Sequence, residues 1–147
     1  MARILLAFDG SDGALGAVTT LAHWHLHGSV VTLLTVSDGD DWPSQQVTRL
    51  RETAAQTMRR LGAKVDLVMA DGEPAAEILA HARRVDADLI VMGPRKRPAL
   101  SQLLLGSVSS DVLRRTPCPL LFGKLSLVTE RILLVIEDAA DLAAMRR

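Results

Sequence analysis

The sequence predicts an α/β fold, an open twisted parallel sheet with helices packed on both faces. Three observations carry this reading. Apolar runs alternate with segments of helical period through most of the chain, the signature of consecutive βαβ units. The runs are punctuated by Gly, Asp, Ser and Pro clusters that read as turns. A length of 147 residues, 48% hydrophobic and 23% charged, suits one domain with a single core rather than a disordered chain.

The elements follow in order. Arg3–Phe8 reads as a buried strand ending at Asp9-Gly10-Ser11-Asp12, where Ser11 or Asp12 can cap a helix. Ala14, Ala17, Val18, Leu21 and His25 fall near the helical repeat, so a helix is expected over roughly residues 12–27, with Gly28 as its stop. Val30–Val36 is a second strand, rich in β-branched residues. Ser37–Ser44 is a polar loop, and Pro43 can open the helix Gln45–Leu61. That helix carries Val47, Leu50, Ala54, Met58 and Leu61 on one face, and Gly62 ends it.

Val65–Met69 is a third strand, and Asp71-Gly72-Glu73-Pro74 a turn. The next helix turns Ala75, Ile78, Leu79, Ala82 and Val85 inward. Asp88–Met92 is a fourth strand that stops at Gly93. A basic, Pro-rich loop, Pro94–Pro98, leads to a helix over about Gln102–Arg115 and a short strand, Leu120–Gly123. Crossovers in such a sheet are right-handed. Ligands sit at the carboxyl ends of its strands, here the loops after Phe8, Val36 and Met92.

The tail repeats the start. Arg131-Ile132-Leu133-Leu134 matches Arg3-Ile4-Leu5-Leu6, and an acid and an Ala-rich stretch follow in both places. One reading is that basic-plus-apolar strand starts look alike. The other is that a second copy of the domain begins here. Both give a strand at 131–136 and a short helix at about 138–146, to be buried at the edge of strand 120–123 or at that edge in a partner chain.

Composition excludes several classes. Lys+Arg and Asp+Glu both number 17, so no net charge favours nucleic acid or a membrane surface. Aromatics are only 3%, too few for stacking platforms. Cys118 is the single cysteine, so no intrachain disulfide forms, which fits a reducing compartment. The N-terminal apolar run meets Asp9 after a few residues, short of a signal-peptide core or a membrane span. The expectation is a cytoplasmic protein with neither nucleic-acid nor membrane partners.

The chemistry concentrates in Gly93–Ser109. A glycine at a strand end, the cations Arg95, Lys96 and Arg97, and Gly106-Ser107 at a helix start make an anion cradle. Backbone N–H groups at a helix N-terminus point at the anion, and the dipole favours it. Other candidates have plainer readings. Asp9–Asp12 can help hold a metal–nucleotide complex, or simply make a turn and cap. His23 and His27 have the spacing of a metal pair on a helix but no third ligand nearby. Asp38–Asp41 resembles a calcium loop in composition alone, without the later ligands, and reads as solvated. Cys118 reads as a buried, inert thiol, and Arg83-Arg84 and Arg114-Arg115 as solvated helix ends. No arranged base or water-activating pair is present, so binding without appreciable turnover is expected.

On these residues the sequence resembles the universal stress protein family. That family's nucleotide-binding members carry G-x2-G-x9-G-[ST], and Gly93, Gly106 and Ser107 fit its spacing. The stretch Leu103–Ser109, then Val112-Leu113-Arg114 and Pro117–Leu121, is similar to the family, as is Ala7–Ser11. The likeness covers about residues 3–124, which makes a domain of 1–124 and an extension of 125–147.

The resemblance implies a five-stranded parallel sheet in the order 3-2-1-4-5, to which the tail reading adds an extra C-terminal strand and short helix. It implies a homodimer through Leu120, Leu121 and Phe122. It also implies ATP or ADP, with or without Mg²⁺, against the first, second and fourth strand ends. Asp9 would lie near base and ribose, with Ala7 beside it, and the Val36 backbone near adenine. Met92 and Gly93 would line the fourth strand's end. Arg95, Lys96, Gly106, Ser107, Val108 and Ser109 would surround the phosphates.

Lys96 stands where the motif has its second glycine. If that position needs positive φ, lysine costs roughly 1 kcal/mol or more in strain, while adding a full charge. Two functions therefore stay open. One is a nucleotide-binding stress protein. The other is an interaction module of the same fold with a degenerate phosphate loop.

Overall fold

The computed structural model describes residues 1–39, 43–94, 106–123 and 134–136. Among them the elements run β1 (Arg3–Ala7), α1 (Asp12–Leu21), β2 (Val30–Ser37), α2 (Gln45–Arg60) and β3 (Lys64–Asp71). Then come α3 (Pro74–Arg84), β4 (Leu89–Met92), α4 (Ser107–Arg115), β5 (Leu120–Phe122) and β6 (Leu134–Ile136). They form one sheet in the order β3-β2-β1-β4-β5-β6. The first five strands are parallel, so the expected 3-2-1-4-5 order holds. β6 joins antiparallel, with Leu120 opposite Ile136 and Phe122 opposite Leu134.

β1, β4 and β5 are apolar almost throughout because both their faces are covered, whereas the edge strand β3 alternates exposed and half-buried residues. Successive residues serve opposite layers, as a period of two requires. Leu6, Leu33, Val91 and Leu121 pack on the α1–α2 side, with Ala17, Leu21 and Met58. Their neighbours Leu5, Leu34, Ile90 and Leu120 pack on the α3–α4 side, with Ile78, Leu79 and Val112. Leu120, Leu121 and Phe122 are thus buried within the chain itself.

Several boundaries differ from the sequence reading. α1 ends at Leu21, six residues before the expected residue 27. The N–H groups of His23 and Trp24 turn back to the Thr20 and Leu21 carbonyls. That tightened turn carries Leu26 into the core and leaves His25 exposed. His23 and His27 are therefore not paired along a helix. His27 instead sits beside Gly62, where an added Cβ would lie 2.7 Å from its Nδ1.

Ser44, not Pro43, caps α2, its hydroxyl accepting from the Val47 N–H at 3.3 Å. β3 extends the expected third strand at both ends. α4 begins at Ser107 because Gly106 is extended, at φ −68° and ψ 174°. The expected helical residues 102–105 lie outside the described residues. So do Arg95, Lys96, residues 131–133 of the tail strand and the tail helix at 138–146.

Two buried ionisable side chains among the described residues escaped the sequence reading. Arg51, on the inner face of α2, donates from Nη2 to the Val68 carbonyl at 2.8 Å. Burial pulls its guanidinium below the ordinary arginine range, with Glu52 opposing in part. His81 of α3 is buried with Nδ1 2.9 Å from the Glu77 carbonyl.

Candidate functional site

Strand order reverses at β1, which lies between β2 and β4. Connections leave the two sides of β1 toward opposite faces, and a crevice opens above the carboxyl ends. A cavity of about 290 Å³ occupies this crevice. Its floor is apolar, made by Ala7 and Phe8 of the β1 end, Leu34 and Val36 of β2, and Met92 of β4. Ile78 of α3 and Val108 of α4 close it from the side. Polar groups stand around this floor: Asp9, Ser11 and Asp38 toward β1 and β2, and Ser109 with Gly106 toward α4.

The loop after β1 is held by local hydrogen bonds. One Asp9 carboxylate oxygen accepts from the Ser11 N–H at 2.9 Å, which leaves the second for other partners. The Ser11 hydroxyl accepts from the Ala14 N–H at 3.2 Å and caps α1. Gly10 makes the bend between them at φ +78°, a conformation that side chains disfavour.

Gly93 ends β4 against the first turn of α1. A Cβ there would run into the backbone carbonyl of Gly13, and a Cβ on Gly13 into the carbonyl of Pro94. The two glycines cross with bare Cα atoms, which brings α1 down to the cavity wall. Gly13 was missed in the sequence. Its signal was a glycine inside the first turn of a helix, where alanine has the higher helix propensity and a glycine therefore points to a packing reason.

The start of α4 differs from the other three helices. Ser11, Ser44 and Glu73 each cap theirs with a side-chain oxygen. Gly106 has no side chain, and among the described residues α4 has no side-chain cap. The first turn of a helix leaves N–H donors without intrahelical partners. Here those of Ser107, Val108 and Ser109 belong to a turn that forms one wall of the cavity. Ser109 is buried, while Ser107 is exposed and lies off the cavity wall.

The cavity thus brings together eight of the residues singled out in the sequence. Ala7, Asp9, Val36 and Met92 meet Gly93, Gly106, Val108 and Ser109 there. Asp38 was missed, because an acid in an Asp/Gly-rich loop reads as solvated. It is exposed, yet it lines the cavity mouth.

Cys118 stands elsewhere, in the turn before β5. Burial pushes its thiol up, the nearby Asp88 charge adds to this, and hydrogen bonds with Thr116 and Ile90 oppose it. Among the described residues, no group of three or more His, Cys, Asp or Glu is arranged to hold a metal. No helix among them is long and apolar enough to cross a membrane.

The family model for the universal stress protein family matches residues 1–123. A universal stress protein of Thermus aquaticus is 36% identical over 132 residues, covering 80% of this chain and 95% of its own length. Universal stress protein MJ0531 of Methanocaldococcus jannaschii is 43% identical over 138 residues, covering 83% and 81%. Among solved structures, the universal stress protein of Archaeoglobus fulgidus in complex with dAMP superposes with a TM-score of 0.60. It is 26% identical, and the match covers 82% of this chain and 94% of that one.

Proposed function

The chain belongs to the universal stress protein family, and from that premise we propose that it is a stress-response protein that binds an adenine nucleotide without appreciable turnover. One observation carries the proposal. A cavity with an apolar floor opens onto the first turn of α4, the helix whose N-terminus has no side-chain cap. An apolar floor suits a base, and a helix N-terminus suits a phosphate. The dAMP complex of the Archaeoglobus fulgidus relative supports the ligand class.

In this reading Ala7, Val36 and Met92 pack on the base, and Asp9 meets the ribose. Gly93, Gly106, Val108 and Ser109 surround the phosphate, and the motif would add Arg95 and Lys96, with Ser107 contributing from beyond the cavity wall. Among the described residues the cavity walls hold two carboxylates, Asp9 and Asp38, and no imidazole or thiol. ATP or ADP with Mg²⁺ is the form the motif favours. A single unpaired thiol, Cys118, is in keeping with a cytoplasmic setting.

Calorimetric titration of AMP, ADP and ATP, with Mg²⁺, into nucleotide-stripped protein tests this. Micromolar binding is expected for the unmodified chain. A Gly106→Asp variant supplies the missing cap and a negative charge at the anion end. Its binding should fall at least about tenfold while its melting temperature holds or rises. No binding of any of the three nucleotides by the unmodified chain refutes the proposal.

Lys96 favours a second reading, an interaction module of the same fold. Nucleotide binding that appears only in Lys96→Gly would support it. The same family premise suggests a homodimer through Leu120, Leu121 and Phe122 of a 1–124 domain, with 125–147 as an added element. Because β6 pairs with β5, that dimer would need β6 to leave or to exchange between chains.

A further inference from the structure

The polar groups of the cavity are sorted by sign across the sheet. Asp38 follows β2, Asp9 follows β1, and Gly93 follows β4 next to the N-terminus of α4. Adjacent strands lie about 4.8 Å apart, so β2 and β4 stand roughly 10 Å apart with β1 between them. Two carboxylates therefore occupy one side of the crevice, and the uncapped helix start occupies the other. A carboxylate accepts hydrogen bonds from hydroxyls and repels a second anion. In open α/β sheets an acid after the second strand is well placed to accept from a ribose hydroxyl.

We infer that Asp38, together with Asp9, makes this cavity select nucleotides whose ribose hydroxyls are free, and reject those phosphorylated on the 2′ or 3′ oxygen. This rests on the nucleotide reading above and deepens it. A 5′-phosphate reaches the helix N-terminus on the β4 side. A 2′- or 3′-phosphate is driven toward the acids on the β1–β2 side. Asp38 is exposed and packs nothing in the core, so replacing it leaves the fold intact. Asn at this position keeps an acceptor for a hydroxyl and removes the charge.

The test titrates 5′-AMP and adenosine 3′,5′-bisphosphate into the full chain and into Asp38→Asn, at low and at moderate salt. The unmodified chain should bind the bisphosphate at least about tenfold more weakly than 5′-AMP, and added salt should narrow the gap. Asp38→Asn should narrow the ratio of the two affinities several-fold, whatever its effect on 5′-AMP binding itself. Equal affinity of the unmodified chain for both ligands overturns the inference while leaving the nucleotide reading intact. So does a gap that Asp38→Asn leaves unchanged. Failure of 5′-AMP alone overturns the inference as stated, and failure of AMP, ADP and ATP alike overturns the nucleotide reading with it.

Discussion

Replacing Gly93 by alanine separates what the motif glycine does for the fold from what it does for a ligand. An ideal Cβ on Gly93 falls inside the carbonyl group of Gly13 and close to the Ala14 nitrogen. Both obstacles are backbone, so no side chain can rotate away. The β4 end and the first turn of α1 must part by on the order of 1 Å or more to regain contacts of roughly 3.5–4.0 Å. Overpacking a core costs about 1–3 kcal/mol, and a clash with backbone belongs at the upper end. At about 2–4 °C per kcal/mol for a chain of this size, the melting temperature should fall by roughly 6–12 °C.

Scanning calorimetry without ligand reads this directly. Urea melts should show a lower midpoint with an unchanged slope, which marks lost stability rather than a changed denatured state. Gly13→Ala is the companion variant. Helix propensity alone would make it gain at most about 1 kcal/mol, less in this first turn of α1, but the Pro94 carbonyl in its way should make it lose stability instead. A Gly93→Ala protein that melts within about 2 °C of its parent would refute the packing argument. If its nucleotide binding were lost all the same, the glycine would serve the ligand alone.

Other consequences follow from the same contacts. Arg51→Met keeps much of the buried stem and removes a desolvated cation whose Nε has no partner among the described residues. Stability by urea melt should change by less than about 1 kcal/mol, whereas Arg51→Ala should lose about 2 kcal/mol or more through the cavity it opens. Ending the chain at residue 124 removes β6 and bares the outer edge of β5. Light scattering should then show more dimer than for the full chain, and a monomer from both would sink the strand-edge dimer. Because burial pushes the Cys118 thiol up, its alkylation should be slow at pH 8 and should climb only above the pH at which a free thiol reacts. Alkylation that tracks a free thiol across this range would contradict that shift.

The sheet was legible because its signals are local and redundant. Leu5-Leu6, Leu33-Leu34 and Ile90-Val91 are apolar pairs that face opposite layers, and only a strand covered on both sides needs such pairs. The end of α1 was not legible, because His25 satisfies the helical period as well as a buried residue would. What decides there is Leu26, which the chain turns inward once α1 stops at Leu21. Arg51 falls one residue from Leu50 in the expected stripe, but a cation reads as solvated from sequence. Its burial depends on the Val68 carbonyl, 17 residues away. Asp38 was hidden for the converse reason, since an exposed acid in a loop gives no sign of which cavity it borders.

The motif itself speaks for the fold before it speaks for a ligand. Gly93 is required where β4 crosses the first turn of α1, with or without a phosphate nearby. Gly106 occupies an extended N-cap position that glycine fills well with no anion present. Both glycines therefore have sufficient structural reasons to be where they are. Their spacing would read the same in a chain that binds nothing. The residues without such a reason are Asp38 and Ser109, whereas Asp9 also holds the β1 turn by accepting from the Ser11 N–H. Asp9 and Asp38 are exposed at the mouth of an apolar cavity, and Ser109 is a buried hydroxyl in the turn that forms its opposite wall. If a nucleotide binds here, substitutions at Asp38 and Ser109 should change affinity or selectivity with little effect on melting. Substitutions at Gly93 should change both. That contrast between two groups of variants weighs the nucleotide reading against the interaction-module reading more directly than the motif can.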